Sequence, residues 1–119
     1  MDTTQMEAGR LTPEEMEARI LARIAQEVGV RPAQVEAAVQ LMDEGNTLPF
    51  IARYRKEVTG TLDDEQLRVI SEKLTLYRAV QARREDVRRL IAEQDKLTPE
   101  LSAALDKAET VAEIDDIYR

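Results

Sequence analysis

"LDDEQLRVISEKLTLYRAVQARREDVRRLIAEQ", residues 62–94, decides the fold. No Pro or Gly interrupts it, and the next breaker is Pro99. Asp63 stands where an N-cap side chain accepts a backbone N–H, Gln66 is its capping-box partner, and Leu62 can staple onto Leu67. The predicted helix runs to about residue 94, roughly 45–50 Å at 1.5 Å per residue. In its first half Leu67, Ile70, Leu74 and Tyr77 form one apolar stripe. Val69, Leu76 and Val80 form a second on the opposite face, so burial on both sides is expected. In the second half only the face of Val87, Leu90 and Ile91 stays apolar. Arg78, Arg84, Arg88 and Arg89 gather on the other side, and Arg83 lies near the apolar stripe, where it is expected to snorkel.

Upstream, "LTPEEMEARILARIAQEVG" (11–29) carries its own punctuation. Thr12 is the expected N-cap, Pro13 takes the first helical position, Glu15 completes a capping box, and Leu11 can staple onto Met16. Met16, Ile20, Ile24 and Val28 line one face, and Gly29 ends the helix. A second helix is predicted at about 32–44, with Pro32 near its start, Val35, Val39 and Met42 as its stripe and Gly45 closing it. The pair reads as a helix-turn-helix-like hairpin. Pro49 can start a short helix with Phe50, Ile51 and Tyr54 on one side, broken by loop residues Thr59, Gly60 and Thr61. Downstream, "KLTPELSAALDKAE" (96–109) repeats the Leu-Thr-Pro-Glu capping pattern and predicts a helix over about 99–108. A further turn starts at Thr110, boxed by Glu113, with Val111, Ile114 and Ile117 inward. The expected fold is all-α, with about five helices: the hairpin and the Pro49 helix pack around the first half of the long helix. Residues 1–10 read as a flexible tail. The apolar pattern stops unfinished at "IDDIYR", so 11–119 is read as one helical domain truncated at its C-terminal end. The second half of the long helix and the last turn are then under-covered, a setting that favours a partner or a dimer.

Composition bounds the chemistry. With 43% hydrophobic and 34% charged residues over 119 positions, one packed domain is expected. Aromatics are 3%, so the core is mainly aliphatic. The chain has no Cys and no His, which excludes disulfides, zinc fingers, Cys nucleophiles and His-based acid–base catalysis within it. No apolar run is long enough to span a membrane, and the polar start lacks the layout of a secretory signal, so a cytoplasmic protein is expected. The net charge is −7, but it divides as −5 over residues 1–45, +3 over 46–91 and −5 over 92–119. An acidic total argues against a strong stand-alone binder of duplex DNA, because phosphate attraction supplies most of such affinity.

"GNTLPFIARYRKEVTGTLDDEQLRVISEKL" (45–74) resembles the N-terminal region of the Tex family of bacterial transcription accessory proteins. The likeness continues through "EQDKLTPELSAALDKAETVAEIDDIYR" (93–119), and its most specific part is "PFIARYRKEVTG" followed by "LDDEQLR". It covers nearly the whole chain. The resemblance implies an all-helical fragment of a cytoplasmic, nucleic-acid-binding transcription factor. Family members continue into an RNase H-like domain, helix-hairpin-helix motifs and an OB-type RNA-binding domain, none of which is in these residues. The family's RNA-binding module lies in that C-terminal part, so the resemblance does not carry RNA binding over to these 119 residues.

Two basic groups are candidate contact sites for nucleic acid (RNA or DNA) or for a partner such as the remaining Tex domains or the transcription machinery. The first is Arg53, Arg55 and Lys56, with Tyr54 available to stack on a base. The alternative places Phe50, Ile51 and Tyr54 in the core and pairs Arg53 with Glu57. The second is Arg78, Arg84, Arg88 and Arg89, either a backbone-tracking stripe or a solvated face where Glu85 pairs with Arg89. Asp63, Asp64 and Glu65 sit at a helix N-terminus, where the macrodipole favours them without a metal. Asp115 and Asp116, adjacent on a helix, point about 100° apart and cannot easily share one. No catalytic constellation, cofactor motif or metal site is read, and no enzyme activity is expected.

Overall fold

The computed structural model describes residues 11–118. Among them are seven helices and no strand: α1 (Pro13–Val28), α2 (Pro32–Asp43), α3 (Leu48–Tyr54), α4 (Lys56–Thr59), α5 (Asp64–Glu93), α6 (Pro99–Lys107) and α7 (Val111–Tyr118). The all-α expectation holds, with more helices than the five foreseen. The predicted tail 1–10 lies outside the described residues.

The helix starts follow the capping chemistry. Thr12 Oγ1 accepts the Glu15 N–H at 3.1 Å, and the Glu15 carboxylate accepts the Thr12 N–H at 2.9 Å. Asp63 and Gln66 exchange the same pair of bonds, at 2.8 and 3.0 Å. Thr47 and Thr98 cap α3 and α6. Thr110 accepts the Glu113 N–H, but the Glu113 side chain accepts from Glu109 rather than from Thr110.

The chain divides into two compact units, residues 1–74 and 75–119. In the first, α1 packs on α2, and α2 packs on α3 and α4. Ile24, Val35, Ala38, Ile51, Leu62, Leu67 and Ile70 are fully enclosed there. Lys73 reaches Glu27 of α1 at 3.2 Å. The segment read as a plain loop holds α4 instead: Thr59 is helical and completely buried, and its hydroxyl accepts the Leu62 N–H at 3.3 Å. Gly60 follows with φ 70°, the left-handed conformation a helix C-terminus favours. Gln34 Nε2 clasps this turn by donating to the carbonyls of Thr59 and Gly60, at 3.1 and 3.0 Å.

In the second unit Val80, Val87, Ile91, Leu105, Ala108 and Ile114 form a closed aliphatic cluster, flanked by Leu97, Leu101, Ile117 and Tyr118. The second half of the long helix is therefore covered, contrary to expectation, because α6 and α7 fold back over it. Two apolar positions miss their expected burial. Leu76 is 56% exposed, so the second stripe of the long helix is not sealed, and Val111 also faces solvent. Among the described residues no helix is long and apolar enough to cross a membrane.

Candidate nucleic-acid interface

The second half of α5 carries four arginines, Arg83, Arg84, Arg88 and Arg89, and the structure gives their guanidinium groups partners within the unit. Arg88 is 6% exposed. Its Nη1 donates to Ser102 Oγ at 2.5 Å, its Nε to Glu85 at 3.3 Å and its Nη2 to Asp106. Arg84 Nε donates to the Leu105 carbonyl at 2.8 Å and Nη2 to the Ala108 carbonyl at 2.5 Å, while Nη1 meets Gln81. Arg84 thereby caps the C-terminus of α6, where orphan carbonyls and the macrodipole favour a cation. Burial lowers its pKa, with Asp106 and Glu85 pulling the other way.

Arg83 bonds Asp115 at 2.7 Å and Asp86 at 3.1 Å, and the bond to Asp115 is the main cause of its raised pKa. Arg89 is exposed and held by Asp86 and Glu93, whose hydrogen bonds raise its pKa in that order. The expected Glu85–Arg89 pair is replaced by Glu85–Arg88. Arg78 is half-buried and also engaged. The exposed stripe of Arg78, Arg84, Arg88 and Arg89 is thus not formed. Arg84 and Arg88 tie α6 to α5, and local acids offset Arg83 and Arg89.

The segment 53–56 is different. Arg53 and Lys56 are exposed, and neither has an ion pair among the described residues, so the Arg53–Glu57 pair does not form. Arg55 is half-buried. Its Nη1 donates to the Tyr54 carbonyl at 3.0 Å, and its guanidinium carbon lies 5.0 Å from the Phe50 ring centroid, a cation–π contact. The Phe50 and Tyr54 rings are 5.2 Å apart and inclined at 50°. Of the three residues expected on one core face, Ile51 is buried, Phe50 is half-buried and Tyr54 is 55% exposed. All three lie within α3, and the contact between the Phe50 and Tyr54 rings shows that helical spacing puts them on one side as expected; the cover over that side ends short of Tyr54. Among the described residues no group of acids could hold a metal ion.

Residues 18–92 match the family described as the Tex-like protein N-terminal domain. The chain belongs to the Tex family. It is 50% identical over 95 residues to Protein YhgF of Escherichia coli, covering 80% of this chain. It is 43% identical over 95 residues, again 80% of the chain, to the Transcriptional accessory protein Tex of Neisseria gonorrhoeae. A human relative, S1 RNA-binding domain-containing protein 1, is 28% identical over 94 residues, 79% of the chain. The aligned parts make up 12%, 12% and 9% of those relatives, so this Tex-family chain spans a small share of their length. Both the capped start of α5 and the segment 53–56 fall inside the matched residues.

Proposed function

We propose that this chain is the N-terminal helical part of a Tex-like transcription accessory factor, and that it contacts nucleic acid through Arg53, Tyr54, Arg55 and Lys56. The observation that carries the reading is that Arg53 and Lys56 stay exposed without acidic partners beside an exposed aromatic, whereas the arginines of α5 serve the fold. The names of two relatives, a transcriptional accessory protein and an S1 RNA-binding domain-containing protein, support the setting. The test is fluorescence anisotropy with a labelled RNA at low salt. Three phosphate contacts give a log–log salt slope near −2 on a single strand, so affinity falls roughly 15–20-fold between 50 and 200 mM salt. Arg53→Ala/Lys56→Ala should flatten that slope. Full binding by the double variant would overturn the reading.

A second reading is a scaffold that docks other domains of the same protein or a transcription partner. Exposed Leu76 on α5 favours it, as does the much greater length of the relatives. Leu76→Glu should then weaken association with the rest of the full-length protein supplied as a separate chain. Unchanged association would count against it.

A further inference from the structure

Helices α6 and α7 carry the counter-charge of the arginines they cover, and we infer that they form a lid: it opens as a unit, and while closed it withholds Arg83, Arg84 and Arg88 from extended anions. Two features point that way. The first is how the lid is latched. Asp115 of α7 takes Arg83 at 2.7 Å, and the carbonyls of Leu105 and Ala108 at the end of α6 take Arg84 at 2.8 and 2.5 Å. Ser102 and Asp106 of α6 take Arg88. Residues 83–91 hold four arginines against two acids, and residues 99–118 hold six acids against one lysine. Asp106 and Asp115 keep 55% and 48% of their side chains exposed, so water and salt compete for both pairs. A guanidinium fork that suits carboxylates suits phosphate oxygens as well. Arg89 is the internal contrast: its acids, Asp86 and Glu93, lie on α5 itself.

The second feature is how little else holds the lid. α6 and α7 have nine and eight residues, too few to stay helical alone. Between Pro99 and Tyr118 the buried apolar side chains are Leu105, Ala108 and Ile114. One link, residues 94–98, joins the lid to α5. Asp95 turns it with φ 57°, and the Lys96 N–H bonds the Ile91 carbonyl at 3.2 Å. A segment with few enclosed apolar groups and a solvent-facing polar seam opens before the whole chain unfolds. Opening melts the two short helices and leaves three arginines of α5 without their acceptors on the lid.

The experiment follows amide hydrogen exchange by mass spectrometry on the whole chain. Between about 20 and about 500 mM sodium chloride, protection across 99–118 should fall about fivefold as two surface pairs are screened, while that of α1 and α2 holds. Long-chain inorganic polyphosphate, which has no bases to stack, should lower protection across 99–118 at low salt to a similar degree. It should do so equally in Arg53→Ala/Lys56→Ala, which lacks the other exposed cations. Asp106→Asn/Asp115→Asn should open the lid about fivefold further and bind polyphosphate more tightly than the unaltered chain. Arg89→Gln should leave protection across 99–118 unchanged. The salt and polyphosphate series on the unaltered chain decide the matter even if a variant fails to fold. If 99–118 is protected as strongly as the buried amides of α1 and α2 at every salt concentration, there is no separate lid and the inference falls. Opening by salt without any response to polyphosphate would overturn the withholding of the arginines. Loss of the polyphosphate response in Arg53→Ala/Lys56→Ala would assign it to segment 53–56 and overturn the inference as well.

Discussion

Breaking the Arg88–Asp106 pair from opposite ends should give unequal results. The Arg88 side chain is 7% exposed, while Glu85 and Asp106 are 44% and 55% exposed. Arg88→Met keeps the packed stem and removes the charge. The two carboxylates it leaves can rehydrate, so the loss reduces to the net worth of about three hydrogen bonds, discounted for exposed partners, or about 1 kcal/mol. Asp106→Ala leaves the guanidinium enclosed with one acid fewer. That penalty is about 2 kcal/mol, offset by roughly 0.5 kcal/mol from alanine's better helix propensity. The net, about 1.5 kcal/mol, lowers the midpoint of thermal unfolding by about 6 °C for a chain of this size. The double variant should fall no further than Asp106→Ala alone, because the uncompensated charge is gone. Urea unfolding followed by circular dichroism gives the energies, and amide hydrogen exchange across 99–107 shows whether the loss is local to α6. A larger effect from Arg88→Met than from Asp106→Ala, or strict additivity, would refute the claim that this arginine is a buried charge depending on its acid.

Gly60→Ala should destabilise more than Gly29→Ala: both positions have positive φ, costing about 1 kcal/mol, but only at Gly60 does a Cβ meet Gln34 Nε2, at 2.7 Å. Equal losses in urea would remove the Gln34 clasp from the account. Arg84→Lys should cost about 1–2 kcal/mol although charge is conserved, since an ammonium lacks the fork that reaches the carbonyls of both Leu105 and Ala108; an unchanged melting temperature would show that charge alone suffices. Glu15 has a lowered pKa, caused first by the Thr12 backbone N–H and then by the Thr12 hydroxyl. Its stabilisation of α1 is therefore present above the ordinary carboxylate pKa and lost as pH falls through the lowered value. Thr12→Ala should raise the Glu15 midpoint in an NMR titration and shift the loss of α1 helicity to higher pH, and no shift would mean the box is open in solution.

Legibility in the sequence follows the range of the forces. The boxes Thr12–Glu15 and Asp63–Gln66 span three residues each, so residue identity settles them. The long helix was equally readable, since nothing breaks it between Asp64 and Glu93. Arg88 could not be placed the same way. Its partners Ser102 and Asp106 lie 14 and 18 residues on, and helical periodicity cannot tell a solvated arginine from one facing a later helix. The two readings of Tyr54, stacking ring or core face, stayed open for a related reason: spacing sets it beside Phe50 and Ile51 but does not show how far that side of α3 is covered. The buried hydroxyl of Thr59 explains why a stretch that looks like a breaker also completes a helix.

The aliphatic cluster of the second unit has a consequence for where this piece can be trimmed. The recognised family segment ends at residue 92, yet Val80, Val87 and Ile91 owe their dryness to side chains between Leu97 and Tyr118. A shortened version stopping at that border would bare a greasy strip and take from Arg84 its acceptors on Leu105 and Ala108, and from Arg88 those on Ser102 and Asp106. Similarity between sequences and the packing of this aliphatic cluster draw different edges here: the first stops at residue 92, and the second reaches Tyr118.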